Sequence, residues 1–303
     1  MTSNILQQIA QLKRDRKAII LAHNYQQPAI QDLADITGDS LELSREAANT
    51  PAEVIVFCGV EFMAETAAIL NPGKKVLLPR RDAGCPMADM ITASDIAAVR
   101  AQHPDVPIVT YVNSTATVKA ESTVCCTSAN SIQVVESFKD SDTVYMAPDQ
   151  NLAKYTARHT KKKILHWKGY CPIHHHLTVE EVRAQQHAHP EALFLAHPEC
   201  PPEILDLAHE VTSTSGMIRF VKESSHKSFI IGTERGILYS MKKMNPHKEF
   251  YVASPSMVCA DMAKTFPEDV LRALETLEPR IQVPEEVRIR ALKAVEMMLR
   301  ISG

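Results

Sequence analysis

The chain has 303 residues, of which 45% are hydrophobic and 23% are charged, and its formal net charge is −3. This composition is typical of a soluble globular protein able to bury a large core, and the length predicts about two or three domains. The small net charge gives no electrostatic reason to expect a nucleic-acid or anionic-membrane partner. The polar N-terminus lacks an apolar signal core and no run of about 18 apolar residues follows, so we expect a cytoplasmic protein without a membrane segment.

The first predicted elements are a helix over residues 3–16 with one apolar stripe and a short apolar strand over residues 18–22 that leads into His23. The same pattern recurs 88 residues later, where a predicted strand leads into Tyr111, and a further 86 residues on, where one leads into His197. Repetition at a nearly constant period predicts a threefold repeat with units of about 87 residues.

Each repeat contains two more predicted strands. The second strands cover residues 54–57, 143–146 and 229–231, and the third strands cover 76–78, 164–167 and 250–253. Helical segments alternate with these strands, a pattern that predicts parallel sheets with helices on both faces. The predicted fold class is α/β, with three similar α/β/α domains about a pseudo-threefold axis and an active site at the axis. The predicted domains are 1–84 plus 264–303, 85–170, and 171–263, with the C-terminal helices of 267–301 packing back onto the first domain.

A cysteine follows the third strand of every repeat. Cys85, Cys171 and Cys259 are 86 and 88 residues apart, and three equivalent thiols turned toward one axis would form a metal centre. Three thiolates can bind zinc, although a catalytic zinc site with thiolates alone is atypical. A [4Fe–4S] cluster normally takes four cysteines, and with three of them one iron stays open as a Lewis acid for substrate. The sequence therefore favours an iron–sulfur cluster, with zinc or buried free thiols as the alternatives.

The other four cysteines break the period. The seven cysteines form an odd number, which argues against a disulfide framework in the cytosol. We interpret the four that break the period as packing or supporting residues: Cys58, Cys125, Cys126 and Cys200. In the run of three histidines that begins at His174, only His174 is expected to reach the central cavity.

Polar residues end the first strand of each repeat as i, i+2 pairs: His23 and Tyr25, Tyr111 and Asn113, His197 and Glu199. Ligands of parallel α/β sheets bind beyond the carboxyl ends of the strands, and both members of such a pair can face the same side. A hydroxyl lies 17 residues after the first member of each pair, at Ser40, Ser128 and Thr214, and Ser213 is adjacent to the last. Considered singly, each of these hydroxyls is best interpreted as a helix N-cap. Three helix starts that converge on one axis would, however, bind phosphate and carboxylates.

Several linked motifs identify a family. They are His23-Asn24-Tyr25-Gln26, Cys58-Gly59-Val60-Glu61-Phe62-Met63-Ala64-Glu65-Thr66-Ala67, Gly84-Cys85-Pro86-Met87-Ala88-Asp89, Tyr111-Val112-Asn113-Ser114, Cys126-Thr127-Ser128-Ala129-Asn130, Pro148-Asp149-Gln150-Asn151-Leu152, His197-Pro198-Glu199-Cys200, Ser213-Thr214-Ser215-Gly216-Met217 and Gly232-Thr233-Glu234. In this order and over essentially the whole chain, the sequence resembles the bacterial and archaeal quinolinate synthases.

The resemblance implies an enzyme that condenses iminoaspartate with dihydroxyacetone phosphate to quinolinate, releasing phosphate and water, in de novo NAD synthesis. It implies a functional link to an L-aspartate oxidase or dehydrogenase that supplies iminoaspartate. The implied cluster ligands are Cys85, Cys171 and Cys259. The implied active-site residues are His23, Tyr25, Ser40, Tyr111, Asn113, Ser128, His174, His197, Glu199, Ser213 and Thr214. Some members carry a Cys-x-x-Cys pair near the last ligand, but this chain has Met262 at that spacing, so we expect no redox regulation through such a pair.

These residues suggest specific roles. Tyr25 and Glu199 are the candidates for proton transfer, because a phenol and a carboxylate in an enclosed site can be tuned toward neutral pH. His23 and His197 complete the candidate catalytic set and, with the hydroxyls, would hold phosphate and carboxylates. Tyr111 and Asn113 would orient the triose.

Three other functions remain open at this point. An aconitase-like hydro-lyase would use the same three-cysteine cluster but would not need a phosphate-sized site. An iron–sulfur sensor or carrier would need an exposed cluster and a partner surface, and the sequence has neither a helix-turn-helix signal nor a basic stripe. A zinc-bound binding protein would be colourless.

Overall fold

The computed structural model describes residues 2–301, which form three α/β units of the same topology. The first unit contains α1 (Thr2–Asp15), β1 (Ala18–His23), α2 (Pro28–Leu33), β2 (Ile36–Gly38), α3 (Ser40–Asn49), β3 (Val54–Cys58), α4 (Glu61–Leu70) and β4 (Lys75–Leu77). The second contains a 3₁₀ turn (Ala88–Met90), α5 (Ala93–Gln102), β5 (Ile108–Tyr111), α6 (Ala116–Ala120), β6 (Val124–Cys126), α7 (Ser131–Glu136), β7 (Thr143–Ala147), α8 (Gln150–Ala157) and β8 (Lys163–His166). The third contains α9 (Pro172–His175), α10 (Val179–Ala188), β9 (Leu193–Ala196), α11 (Pro202–Leu205), β10 (Glu210–Val211), α12 (Thr214–Glu223), β11 (Ser228–Gly232), α13 (Ile237–Met244) and β12 (Glu249–Val252). Two helices, α14 (Pro267–Thr276) and α15 (Glu285–Ile301), end the described chain.

Each unit is built on a four-stranded parallel sheet, as the alternation of strands and helices predicts. The strand orders are β2-β1-β3-β4, β6-β5-β7-β8 and β10-β9-β11-β12, the same order three times. The central strands are apolar because helices cover both faces, and all five residues of β3 are buried. The predicted α/β fold with three similar units is therefore confirmed, whereas the predicted domain boundaries stay a prediction.

The register of the sheets shows which positions are equivalent. The residue before each strand-end polar residue is paired with both neighbouring strands: Ala22 with Thr37 and Cys58, Thr110 with Cys125 and Ala147, Ala196 with Val211 and Gly232. His23, Tyr111 and His197 are consequently the same position of the fold, each one residue beyond such a pair. Ser40, Ser128 and Thr214 are also equivalent, since each lies three residues after the paired residue of the outer strand.

The sequence predicts three strands in each unit, and the structure has four. The additional strands, β2, β6 and β10, are only two or three residues long and lie at one edge of each sheet. Runs this short show no hydrophobic pattern that distinguishes a strand from a loop. They nevertheless position the three equivalent hydroxyls, because each hydroxyl follows one of these edge strands.

The C-terminal helices pack more widely than predicted. Helix α14 lies against α1, α2 and β3 of the first unit, as expected. Helix α15 packs against α4 of the first unit and also against α6, β6 and α7 of the second, burying Ala291, Ala294, Val295 and Met298. Met298 is thus a core residue, and α15 joins two units rather than covering one.

A buried lysine connects the first and second units. Lys119 of α6 is fully buried, and its ammonium donates to the carbonyl oxygens of Ser114 (2.5 Å) and Phe62 (3.4 Å) while lying 5.5 Å from the Phe62 ring centroid. Glu65 of α4 accepts from the Ala116 amide at the start of α6 (2.9 Å). Burial lowers the pKa of Lys119, and the charge of Glu65 opposes that shift.

We expect Lys119→Met to destabilise the protein by about 1–3 kcal/mol, because two buried carbonyl oxygens lose their donor while the side-chain volume is nearly kept. The urea midpoint followed by circular dichroism measures the change. Lys139→Met, at an exposed position, is the matched control and should shift stability by less than about 0.5 kcal/mol. Equal midpoints for Lys119→Met and the wild type would contradict a structural role for Lys119.

Candidate active site

The carboxyl ends of the strands from all three units enclose a cavity of about 50 Å³. Eleven polar residues and two apolar ones, Phe62 and Met262, line it; the polar residues are His23, Tyr25, Asp39, Ser40, Tyr111, Asn113, Thr127, Ser128, His197, Glu199 and Thr214. The polar strand-end pairs that the repeat singled out therefore lie together, although their catalytic and binding roles stay predictions.

A larger cavity of about 240 Å³ adjoins the first and contains the three periodic cysteines. Tyr25, Asn113 and Glu199 line both cavities, so the two are neighbours, and we refer to them together as the chamber. His174, Glu234 and Asp261 complete the polar lining of the larger part, and its walls are otherwise mainly apolar. The chamber thus places three thiols beside the candidate proton-transfer groups. Each thiol follows the last strand of one of the three sheets.

The environment of the thiols disfavours charge. Burial raises the pKa of Cys85 to about 12, that of Cys259 to about 11, and that of Cys171 well above its usual range. All three cysteines line the same cavity. Buried thiols ionise only if a cation stabilises the thiolates. Three thiolates are suitable ligands for a soft metal ion or an iron–sulfur cluster.

Two buried carboxylates that the sequence analysis missed hold the backbone of two of these cysteines. Asp149 Oδ2 accepts from the Cys171 amide (3.1 Å), and Glu234 Oε1 accepts from the Cys259 amide (3.2 Å). The two acids are equivalent, each two residues after the strand residue paired across the sheet, and Val60 occupies that position in the first unit. Burial raises the pKa of Glu234 to about 7 despite two amide donors. An acidic residue occurs at this position in both the second and the third unit, and this repetition is the sequence signal from which Asp149 and Glu234 could have been predicted.

His23 and His197 have the same hydrogen-bond arrangement. The Tyr25 amide donates to His23 Nδ1 (3.2 Å), and the Glu199 amide donates to His197 Nδ1 (3.3 Å), so in each neutral ring the proton resides on Nε2. His197 Nε2 then donates to Ser128 Oγ (3.1 Å). Burial lowers the pKa of both rings, that of His23 to about 4, although Asp39 and Glu199 respectively oppose the shift. Two neutral N–H donors therefore face the chamber.

The low pKa of His23 has a measurable consequence for stability. Because its folded-state pKa lies below the ordinary 6.5, the unfolded chain binds a proton that the folded chain excludes. The contribution of His23 to the free energy of unfolding is therefore fully present above about pH 6.5, and it is lost as the pH falls toward 4. We expect the destabilisation between about pH 7 and about pH 5 to be smaller in His23→Gln than in the wild type, by about 2 kcal/mol.

Urea unfolding at the two pH values tests this expectation. His226→Gln, at a solvent-exposed position, is the control and should retain the pH dependence of the wild type. An identical pH dependence in the wild type and His23→Gln would mean that His23 is not held neutral by burial.

Glu199 is almost completely buried, at 3% exposure. Its Oε2 lies 2.7 Å from His174 Nδ1 and 3.3 Å from His197 Nδ1. Burial alone would raise the pKa of Glu199, but His174, whose Nδ1 lies 2.7 Å away, is foremost among the groups that outweigh burial and lower that pKa, so the carboxylate is ionised. Its second oxygen, Oε1, has no hydrogen-bond partner among the described residues.

Two further buried polar atoms of the chamber share this lack of a partner within residues 2–301: Asn113 Oδ1 and Thr214 Oγ1. Buried polar groups normally have partners, and leaving one without costs free energy. Three such atoms around one chamber indicate that a polar ligand completes the site. Burial also raises the pKa of Tyr25 and of Tyr111, so both phenols remain proton donors.

The three equivalent hydroxyls are not N-caps, which corrects the interpretation that each would favour alone. Asp39 caps α3, accepting from the Leu41 and Glu42 amides (both 3.0 Å), and Ser40 is the first helical residue. Thr214 is likewise the first residue of α12, and Ser128 lies before α7. These hydroxyls remain available to the chamber.

Ser213 makes two contacts that the sequence analysis did not predict. It caps α12 by accepting from the Gly216 amide (3.3 Å) and donates to Asp39 Oδ2 (3.2 Å), which links the third unit to the first. It is not among the lining residues of either part of the chamber. Its contact with substrate stays a prediction, and in the structure its hydroxyl supports the helix start that presents Thr214.

The cysteines outside the period lie in the protein interior. Cys58, Cys125 and Cys126 are fully buried in the sheets, and Cys200 donates to the Gly232 carbonyl oxygen (3.5 Å). In the histidine run, His175 packs against Tyr170 with ring centroids 4.2 Å apart, whereas His174 lines the chamber. This placement agrees with the selection of His174 from the run.

Between residues 2 and 301, no helix combines the length and apolar character that crossing a membrane requires.

Comparison with known proteins identifies relatives along nearly the whole chain. The family model described as "Quinolinate synthetase A protein" matches residues 7–300. The chain is 52% identical over 297 residues to the quinolinate synthase of Geobacter metallireducens, covering 98% of this chain and 97% of that protein. It is also 52% identical over 298 residues to the quinolinate synthase of Methanoregula boonei, covering 98% of each. A third relative, from Pelobacter propionicus, is 52% identical over 302 residues and covers 99% of each chain.

Proposed function

Because the chain belongs to the quinolinate synthase family, we propose that it is a transferase-type enzyme that condenses iminoaspartate with dihydroxyacetone phosphate to quinolinate, releasing phosphate and water, in de novo NAD synthesis. The observation that carries the proposal is the chamber itself. It brings three periodic cysteines beside an ionised carboxylate, two buried phenols and three polar atoms that have no hydrogen-bond partner within residues 2–301. Both substrates are anionic, and a chamber lined with hydroxyls and neutral imidazole N–H groups suits them.

The proposed cofactor is a [4Fe–4S] cluster held by Cys85, Cys171 and Cys259. A cluster with three protein ligands supplies one open iron that acts as a Lewis acid on substrate oxygen or nitrogen. Sγ of Cys171 and single atoms of His174 and Glu199 also lie within 4.8 Å of one another, as a mononuclear metal site would require. Such an ion would leave Cys85 and Cys259 as two buried thiols in a 240 Å³ cavity, so the donor set fits the cluster better.

Anion binding is proposed for the hydroxyls of Ser40, Ser128 and Thr214, with the Nε2–H group of His23, while His197 orients the Ser128 hydroxyl through its own Nε2–H. Ser213 supports this set through Asp39 and the start of α12. The three hydroxyls come from one equivalent position in three units, so together they can surround a phosphate or carboxylate group without a lysine or arginine. Neutral donors hold such groups while allowing phosphate to leave.

Proton transfer is proposed for Glu199 and Tyr25, although the pKa of Glu199 is lowered and that of Tyr25 is raised, so neither is tuned toward neutral pH as the sequence suggested. Glu199 is ionised, and its unpartnered Oε1 can take a proton from substrate carbon or nitrogen. Tyr25 keeps its proton because burial raises its pKa, so it can donate to a leaving oxygen. Asn113 Oδ1 accepts from a triose hydroxyl, and Tyr111 donates on the other side of the same substrate.

The proposal extends to the source of one substrate. Iminoaspartate is an imine that forms when the amine of aspartate is oxidised, so an L-aspartate oxidase or dehydrogenase must act immediately before this enzyme. We propose a cytoplasmic location for both steps.

The direct test is an anaerobic assay with iminoaspartate generated in the reaction and dihydroxyacetone phosphate added. Quinolinate and free phosphate should form in equal amounts. Dehydration of a hydroxy acid by the iron-loaded protein, without quinolinate formation from the two substrates, would instead establish the hydro-lyase alternative. No quinolinate from protein that carries its full complement of iron would overturn the proposed reaction.

A further inference from the structure

Three buried polar side chains outside the predicted site connect neighbouring units of the fold. They are Gln31, Lys119 and Asn151. None of the three lines either part of the chamber. Each donates a hydrogen bond to a backbone carbonyl oxygen of another unit. Such bonds fix the backbone of one unit relative to the next.

The backbone that these bonds reach lies beside the chamber residues. We define three strand-end segments at the carboxyl ends of β1, β5 and β9, which cover residues 23–26, 111–114 and 197–200 and are at equivalent positions of the repeat. They carry Tyr25, Asn113 and Glu199, to which proton transfer and triose binding are assigned above. The positions of these three side chains therefore depend on how the strand-end segments are held.

Gln31 of α2 holds the first strand-end segment. Its Nε2 donates to the carbonyl oxygen of Gln26 in the segment (2.7 Å) and to that of Gly236 in the third unit (3.0 Å). Gly236 also touches the segment directly, because a Cβ added there would lie 2.5 Å from the Tyr25 carbonyl oxygen. The backbone that carries Tyr25 is thus fixed to the third unit.

Lys119 of α6 makes the same connection for the second strand-end segment. It lies eight residues after the first residue of its segment, as Gln31 does in the first unit. Its ammonium donates to the carbonyl oxygen of Ser114 in the segment (2.5 Å) and to that of Phe62 in the first unit (3.4 Å). These two acceptors are equivalent to the two acceptors of Gln31. Gln31 and Lys119 are consequently one position with one task.

The third unit keeps the connection but takes the donor from the opposite partner. The position equivalent to Lys119 is Leu205, which has no polar side-chain atom. Asn151 of the second unit occupies the position of Phe62, four residues after the paired residue of the second central strand. Its Nδ2 donates to the Glu199 carbonyl oxygen (2.9 Å). The third segment is therefore fixed to the second unit.

We propose that Gln31, Lys119 and Asn151 are positioning residues for the reaction proposed above, on which this inference rests. Each fixes one strand-end segment to the preceding unit in cyclic order, the first to the third, the second to the first and the third to the second. Together they set the distances between the proton donor, the amide that orients the triose and the proton acceptor. Because the connection recurs with three different side chains, the repeat preserves the hydrogen-bond donor rather than the residue type.

Removing one donor at a time should loosen one segment at a time. Gln31→Met, Lys119→Met and Asn151→Leu each remove the donor and nearly keep the side-chain volume. Amide hydrogen exchange, followed by mass spectrometry on the anaerobic, iron-loaded protein, should accelerate at least about tenfold more in the strand-end segment that the missing donor holds than in the other two. No acceleration, or an equal acceleration in all three segments, would overturn the proposal, because the second result reports only a loss of global stability.

The kinetics should also differ between segments, because the segments carry different roles. Asn151→Leu displaces Glu199 and should lower kcat about tenfold, with both KM values within about threefold of the wild type. Lys119→Met displaces Asn113 and should instead raise the KM for dihydroxyacetone phosphate about tenfold, with the KM for iminoaspartate within about threefold. A loss of folded enzyme alone would leave every KM unchanged. The same kinetic change in both variants, or none in either, would contradict the assigned positions.

Two further variants separate the donor from general packing. Asn71 is buried and donates to the Ala67 carbonyl oxygen (2.9 Å) inside its own unit, so Asn71→Leu is the matched control for Asn151→Leu. It should leave kcat, both KM values and exchange in the strand-end segments within about threefold. Lys119→Gln introduces the donor that the first unit uses and should restore the KM for dihydroxyacetone phosphate to within about threefold. A Lys119→Gln enzyme as impaired as Lys119→Met would overturn the equivalence of the two donors.

The exchange measurement does not depend on turnover. If the wild type made no quinolinate, the proposed function would fail, whereas the exchange pattern would still decide whether the three donors fix the strand-end segments. If the wild type made quinolinate and the exchange pattern were uniform, the proposed function would stand and this inference would fail.

Discussion

Replacing Cys171 with alanine is expected to abolish iron retention and quinolinate formation together. The Cys171 thiol lies within 4.8 Å of single atoms of His174 and Glu199, and Cys171 lines the chamber together with Cys85. Losing one of three thiolate ligands leaves two protein ligands, which is too few to hold a cluster that already lacks a fourth. Anaerobic iron analysis and the quinolinate assay should both fall to background.

Cys125→Ala is the matched control for that substitution. Cys125 is equally buried, but it lies within β6 and lines neither part of the chamber. We expect normal iron content and activity, with a small loss of stability from the missing sulfur atom. A Cys171→Ala protein that retained iron and turnover would refute the ligand assignment, and an inactive Cys125→Ala protein would show that the effect is not specific to the chamber.

The second large effect is expected for Glu199→Gln, which should reduce kcat by about 10²–10⁴-fold while leaving the cluster intact. Glutamine has nearly the same shape and can still contact His174, but it cannot take up a proton. Steady-state kinetics, an iron count and the absorption spectrum measure the three quantities on one preparation.

Glu203→Gln, an exposed position at the start of α11, is the control and should match the wild type. Wild-type kcat in Glu199→Gln would exclude the proposed proton transfer. Loss of iron from Glu199→Gln would instead show that Glu199 helps to hold the metal centre. A carboxylate oxygen of Glu199 lies within 4.8 Å of Cys171 Sγ, so the experiment must distinguish this outcome from loss of proton transfer.

The sequence predicts much of this site because the repeat marks equivalent positions. Nine of the twelve strands within residues 2–301 appear in the sequence as apolar runs. The period of these runs assigns His23, Tyr111 and His197 to the same position of the repeat from the sequence alone. Parallel sheets then bring those strand ends to one region. The hydroxyls of Ser40, Ser128 and Thr214 obey the same period, although their local role is not that of helix caps.

What the sequence does not predict depends on contacts between units. Asp149 and Glu234 act on backbone amides of cysteines more than 20 residues away, and Thr233 bonds to a residue 208 positions earlier. A single sequence carries no signal for such pairings unless a motif repeats. The edge strands are too short to show a pattern, and the contact of α15 with the second unit follows from how the units pack.

The central claim is that three equivalent thiols hold a cluster with one open iron that substrate can reach. Its most direct test is an iron and acid-labile sulfide count on anaerobically purified protein, followed by titration with quinolinate while the absorption spectrum is recorded. The expected result is a brown protein with about four iron and about four sulfide per chain and a saturable spectral shift. A colourless protein with about one zinc, or a four-iron cluster whose spectrum quinolinate leaves unchanged, would contradict it.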